Sequence, residues 1–111
     1  MPECPLSQLL IRPKHLALLQ ALLQQTIPQA EVWAYGSRVT GQAHESSDVD
    51  LVVRNPVDLT QFLDLTELKE QLLESDLPLH VDVVDWARVP VHFHEAIQAA
   101  YVIITPLIPP R

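Results

Sequence analysis

The sequence predicts an α/β fold of the α+β kind, a small mixed β-sheet flanked by helices. Three observations carry that expectation: leucines recurring every three or four residues in two separate segments, short runs of β-forming residues between and after them, and 111 residues of which 48% are hydrophobic. That length suits one compact domain, 1–111, which would bury roughly two-thirds of the surface its unfolded chain exposes.

In chain order, Leu6, Leu9, Leu10, Leu16, Leu19, Leu22 and Leu23 keep the period of an amphipathic helix. Pro13 interrupts them, because an interior proline removes a hydrogen bond and clashes with the preceding turn. The main helix is therefore expected from Pro13, in its first turn, to Gln25. Glu31 to Tyr35 is rich in β-formers and runs into Gly36-Ser37, a strand opening into a tight turn that Gly41 closes. Asp48 to Val53 begins as polar–apolar alternation and ends solidly apolar, the pattern of a strand with one end in water, and Asn55-Pro56 stops it. A second amphipathic helix is expected next, capped by Asp58 or Thr60, with Leu59, Phe62, Leu63, Leu65, Leu68, Leu72 and Leu73 on its apolar face. Leu79 to Trp86 reads as a third strand. A shorter helix from Pro90 to Ala100 is expected to turn Val91 and Ile97 inward, with Phe93 a further candidate for that face, and an extended Tyr101–Thr105 segment leads to a proline-rich end.

Seven Lys and Arg against fourteen Asp and Glu give a formal net charge of −7. Gripping long DNA or RNA needs clustered positive charge, so no long nucleic acid is expected as a partner. The single cysteine, Cys4, excludes an internal disulfide and a cysteine zinc cluster, and fits a reducing compartment. No segment reaches the ~20 apolar residues that span a bilayer, and the N-terminus has no basic region followed by an apolar stretch. A cytoplasmic protein with no membrane partner is expected.

The residues that carry chemistry are a Gly-Ser turn at the end of one strand, an Asp-x-Asp pair on the next and a further aspartate on a later one. On a strand rising ~3.3 Å per residue, Asp48 and Asp50 point to the same face with Cα atoms roughly 6.6 Å apart. Carboxylates so placed can share two Mg²⁺ ions ~3.5–4 Å apart, with Asp82 as a third anionic ligand. Hard oxygen ligands of this kind suit metal-assisted phosphoryl transfer, one ion on a triphosphate and one on an acceptor hydroxyl. Gly36 lets backbone approach phosphate oxygens, the Ser37 hydroxyl and the N–H groups opening the next short helix can donate to them, and Arg38 adds positive charge. Strand parity separates Asp82 from Asp85: Leu79, Val81, Val83 and Asp85 share the core face, whereas His80, Asp82 and Val84 share the other. Asp85 is accordingly expected to end the strand or cap the next segment.

Gly36-Ser37, ten intervening residues and Asp48-Val-Asp50, within GSRVTGQAHESSDVDLVV, resemble the signature of the polymerase-β-type nucleotidyltransferase superfamily, and HVDVVDW resembles its third motif. The branch most similar is the minimal nucleotidyltransferases of the MntA antitoxin type, and the resemblance covers nearly the whole chain. It implies a polymerase-β-type nucleotidyltransferase fold and transfer of a nucleoside monophosphate, AMP from ATP as substrate, with release of pyrophosphate. It further implies Mg²⁺, two ions, on Asp48, Asp50 and Asp82, with those carboxylates catalytic and Gly36, Ser37 and Arg38 binding nucleotide. As partner it implies a small helical HEPN-domain protein, in some pairs an RNase toxin silenced by AMP on a tyrosine. Two other readings stay open: a module that neutralises a HEPN partner sterically, and an enzyme acting on a small-molecule hydroxyl, whose relatives carry an extra substrate domain.

Other residues read more plainly. An Asp-x-Asp alternation alone is the wet face of a half-buried strand, and it gains meaning only beside Gly36-Ser37 and Asp82. His92 and His94 are spaced wrongly for one helical face and are expected on the surface or in packing. His44 sits in the loop before Asp48, where it is solvated or touches nucleotide. Trp33 and Tyr35 share a strand face and are expected to pack on a helix; self-modification at Tyr35 or Tyr101 is the less favoured alternative.

Overall fold

The computed structural model describes residues 3–43 and 47–105. Helix α1 spans Pro13–Thr26, strand β1 Glu31–Tyr35, the short helix α2 Ser37–Thr40, β2 Val49–Arg54, α3 Thr66–Glu74, β3 Val81–Asp85, α4 Val91–Gln98 and β4 Val102–Thr105. One turn of 3₁₀-helix lies at Leu6–Gln8 and another at Trp86–Arg88. The four strands form one mixed sheet in the order β3-β2-β1-β4, with β2–β3 parallel and β1 antiparallel to both of its neighbours. A parallel pair needs a crossover, which α3 supplies.

Strand parity divides the sheet into two faces. Val32, Ala34, Val49, Leu51, Val53 and Val83 bury one face with Leu19 and Leu23 of α1 and Leu68 of α3. Trp33 and Val52 bury the other with Trp86 and Ile97 of α4. Tyr101 stacks on Trp33 at 3.8 Å, and the Arg54 guanidinium lies 3.9 Å over Trp33 and 4.6 Å over Trp86 while paired with Glu31 at 2.5 Å. Burying that charge is tolerable because a carboxylate and two π-faces meet it.

Several expected elements differ from the structure. Strand β2 starts at Val49, leaving Asp48 just outside it. The helix expected from Asp58 starts only at Thr66, because local side-chain bonds hold the chain in turns: Asp58 Oδ1 accepts from the Thr60 N–H and hydroxyl, and Asn55 Oδ1 from the Val57 N–H. Asp64, two residues ahead of the helix, accepts from the Thr66 N–H at 3.0 Å, and Phe62 stands exposed. Strand β3, Val81–Asp85, is shorter than the expected Leu79–Trp86. Val91 points outward at 75% exposure, since it opens α4 off the face that Ile97 buries, and Phe93 is exposed as well. Among the described residues no helix is long and apolar enough to cross a membrane. The proline-rich end beyond Thr105 and His44 lie outside the described residues.

Candidate active site

Gly36 turns the chain sharply from β1 into α2, at φ +81°. Two constraints make it glycine: that conformation is strained for any residue with a Cβ, and a Cβ here would stand 2.5 Å from Asp50 Oδ2. The backbone at Gly36 is therefore packed directly against a carboxylate. Ser37 begins α2, and Gly41, at φ +89°, ends it. The segment before α1 braces this short helix: the Leu10 N–H donates to the Arg38 carbonyl at 2.8 Å, and Gln8 Nε2 to the Val39 carbonyl at 2.9 Å.

Asp50 and Asp82 are register partners in the parallel β2–β3 ladder, and Tyr35 is the partner of Asp50 across β1–β2. Tyr35, Asp50 and Asp82 thus form one row across three strands, on the sheet face opposite α1 and α3. Asp48 adds its charge from the residue before β2. Partial burial raises the Asp50 carboxyl above its ordinary range, the charges of Asp82 and then Asp48 raise it further, and His80 partly offsets them. Burial first, then Asp50 and Asp82, push the Tyr35 phenol up to about 12. Asp48 and Asp82 are exposed, so the carboxylate cluster opens to solvent on either side of Asp50.

Asp85 matches its expectation. Its side chain lies on the opposite face at 4% exposure, where it accepts from the Leu63 N–H at 2.8 Å and the Ala87 N–H at 3.2 Å and pairs with Arg88 at 3.3 Å. His94 is a packing residue, stacked on Trp86 at 3.9 Å with Nε2 2.8 Å from the Trp86 carbonyl oxygen, and His92 is exposed.

Arg38, expected beside the phosphates, turns its guanidinium to backbone carbonyls. Its guanidinium is buried: Nε and Nη2 donate to the Ser47 carbonyl at 3.0 and 2.8 Å, and Nη1 donates to the Leu10 carbonyl at 2.6 Å. Sequence reasoning missed Tyr35 and His80 as neighbours of the carboxylates. Strand parity puts each on a face, but only the pairing register brings them to Asp50.

Among the described residues no three His, Cys, Asp or Glu side chains converge tightly enough to enclose a metal ion unaided. A row of carboxylates with little cationic company still fits Mg²⁺, which is bound through one or two carboxylates plus substrate phosphates rather than by an all-protein cage. Two grooves run along β3, the outermost strand on this side of the sheet. One of about 410 Å³ is lined by Leu73, His80 and Asp82 among others. The other, of about 810 Å³, includes Phe62, Val84, Arg88 and Phe93, and Phe93 packs edge-on to Tyr35 with centroids 6.0 Å apart.

Residues 16–107 match the nucleotidyltransferase domain family. Over 100 residues the chain is 45% identical to the probable protein adenylyltransferase MntA of Haemophilus influenzae, covering 88% of this chain and 85% of that one. A crystal structure of a toxin-antitoxin with AMP-PNP superposes with a TM-score of 0.65 over 85% of this chain and 73% of the other, at 22% identity, a likeness of fold. The chain belongs to the nucleotidyltransferase domain family.

Proposed function

We propose that the chain is a Mg²⁺-dependent adenylyltransferase that moves AMP from ATP onto a hydroxyl, a tyrosine of a HEPN-type toxin, and so acts as the antitoxin of a pair. One observation carries this reading: Asp50 and Asp82 stand in register, with Asp48 beside them and the Gly36 backbone against the Asp50 carboxylate. The 45% identity to a probable protein adenylyltransferase supports the AMP donor and a protein acceptor, and the toxin-antitoxin fold neighbour supports the kind of partner.

In this reading Asp48, Asp50 and Asp82 hold two ions with the help of the nucleotide's phosphates. When bound, the ions neutralise charge on the triphosphate and lower the pKa of the acceptor hydroxyl. The chain's own groups do the rest. The Ser37 hydroxyl and the backbone N–H of Ser37, at the start of α2, orient the triphosphate. Asp82 receives the acceptor's proton as its oxygen bonds to the α-phosphorus. The bond from that phosphorus to the β-phosphate bridge breaks, and pyrophosphate leaves. Asp82 suits that role because it is exposed on the outermost strand, where an acceptor arriving from another molecule can reach it.

The test is to incubate the chain with a candidate partner and ATP labelled at either the α- or the γ-phosphate. Label from the α position should enter protein and label from the γ position should leave as pyrophosphate. Transfer of the γ label would make the enzyme a kinase and overturn the reading.

A further inference from the structure

Strand pairing does not hold Asp48. The β1–β2 ladder ends at Tyr35↔Asp50 and the β2–β3 ladder at Val49↔Val81, so among the described residues Asp48 is outside both ladders. Its position is instead set from both sides along the chain. After it, the Val49 N–H donates to the His80 carbonyl at 2.9 Å. Before it, the Ser47 carbonyl accepts two bonds from the Arg38 guanidinium, at 3.0 and 2.8 Å.

Arg38 is fixed at its other end as well. Nη1 donates to the Leu10 carbonyl at 2.6 Å, and the Leu10 N–H returns a bond to the Arg38 carbonyl at 2.8 Å. The guanidinium is planar and presents its donors in a rigid fork, so a carbonyl gripped by Nε and Nη2 is placed in direction as well as distance. A lysine ammonium in the same space keeps the charge but cannot direct donors to both carbonyls in that geometry.

We infer that Arg38 is the positioning residue for Asp48: it ties the peptide before the carboxylate to the segment preceding α1 and to α2, and so holds Asp48 where it can share a metal with Asp50. This rests on the proposed role of Asp48 as a ligand. It gives Arg38 a task in holding backbone, since Nε, Nη1 and Nη2 each donate to a carbonyl. Partners that orient a metal ligand typically contribute 10–100-fold to metal affinity.

Four proteins test it: wild type, Arg38→Lys, Arg38→Ala and Asp48→Asn. Each is titrated with Mn²⁺ at a saturating concentration of a non-transferable ATP analogue, reading protein-bound ion by water proton relaxation, and separately with ATP in EDTA, with thermal unfolding as a check on folding. Arg38→Lys and Arg38→Ala should both weaken Mn²⁺ binding about 10-fold or more while leaving metal-free ATP affinity unchanged. Ethylguanidinium, but not ethylammonium, should restore Mn²⁺ affinity to Arg38→Ala. Normal Mn²⁺ affinity in Arg38→Lys, or loss of ATP affinity in EDTA, would overturn the inference in favour of a charge on the nucleotide. Asp48→Asn separates the two levels: if it binds Mn²⁺ normally, the ligand assignment itself fails, whereas weakened binding there with normal binding in Arg38→Lys sinks only the role of Arg38. Should the Arg38 variants not fold, the wild type gives the answer. Its Arg38 Nε–H should exchange slowly and keep its nitrogen shift when ATP is added, and a shift accompanied by coupling to phosphorus would contradict the inference.

Discussion

Asp50 and Asp82 face each other in register on parallel strands, two like charges about 4.8 Å apart at the Cα level. An ordinary sheet avoids that pairing, because like charges directly opposite destabilise it. Here Asp48 adds a third negative charge, and the Asp50 carboxyl is raised in consequence of burial, Asp82 and Asp48 in that order. Strain of this kind at one end of a sheet is relieved by a bound cation, which is why the row reads as a site and not as the wet face of a strand.

Asp48→Asn or Asp50→Asn should reduce AMP transfer by on the order of 10²–10³-fold or more, and Asp50→Asn should raise the metal-free Tm. The sign comes from the direction of the shift. A carboxyl whose folded pKa lies above its unfolded value costs stability once pH rises through that interval, so removing the charge stabilises at neutral pH and ceases to do so in acid. Thermal unfolding in EDTA at neutral and acidic pH checks this, and a lower Tm for Asp50→Asn at neutral pH would contradict it.

Tyr35 should titrate far above an ordinary phenol, near pH 12. Its neutral form is favoured in the folded state, so the stability it contributes is lost as pH climbs from about 10 through 12. Phenolate absorbance should show that late step in the wild type, lose it in Tyr35→Phe and move it to lower pH in Asp50→Asn. No movement in Asp50→Asn would mean that the two groups do not share a row.

Asp82 and Asp85 should separate function from stability. Asp82→Asn should keep the fold and lose transfer. Asp85→Asn should retain transfer per folded molecule but lose about 2 kcal/mol of stability, because the buried carboxylate accepts from the Leu63 and Ala87 N–H groups. Urea unfolding and transfer assays on both variants decide, and an inactive, stable Asp85→Asn would reverse the assignment.

Gly36→Ala and Ser37→Ala should differ in kind. The first places a Cβ 2.5 Å from Asp50 Oδ2 at a φ of +81°, so it displaces the carboxylate and should abolish transfer. The second removes one hydroxyl donor worth ~1.5–3 kcal/mol and should raise the KM for ATP with a modest effect on kcat. Complete inactivity of Ser37→Ala at normal ATP affinity would give the hydroxyl a chemical role.

Much of the fold and site is legible in the sequence because the signals are local. The β1 limits come from Gly36 and from the β-forming run ahead of it, and the assignment of Asp82 and Asp85 to opposite faces comes from period-two alternation alone. Where sequence and structure part, the cause is tertiary or competing. Leucine spacing from Leu59 to Leu73 suggests one helix, yet Asn55 and Asp58 hold its first part in turns and Asp85 takes the Leu63 N–H. Arg38 beside a Gly-Ser turn suggests a phosphate ligand, and only the fold reveals the Ser47 and Leu10 carbonyls that its guanidinium meets. Tyr35 escapes a sequence reading because its neighbour Asp50 lies on another strand, and register is not written in either strand's own pattern.

The most direct measurement is intact-mass analysis of a HEPN-type partner incubated with ATP, Mg²⁺ and either the wild-type chain or Asp50→Asn. The account predicts a gain of AMP on the partner, mapped to a tyrosine, with the wild type and none with the variant. An unmodified partner that the wild type nevertheless inhibits, or equal modification by Asp50→Asn, would contradict it.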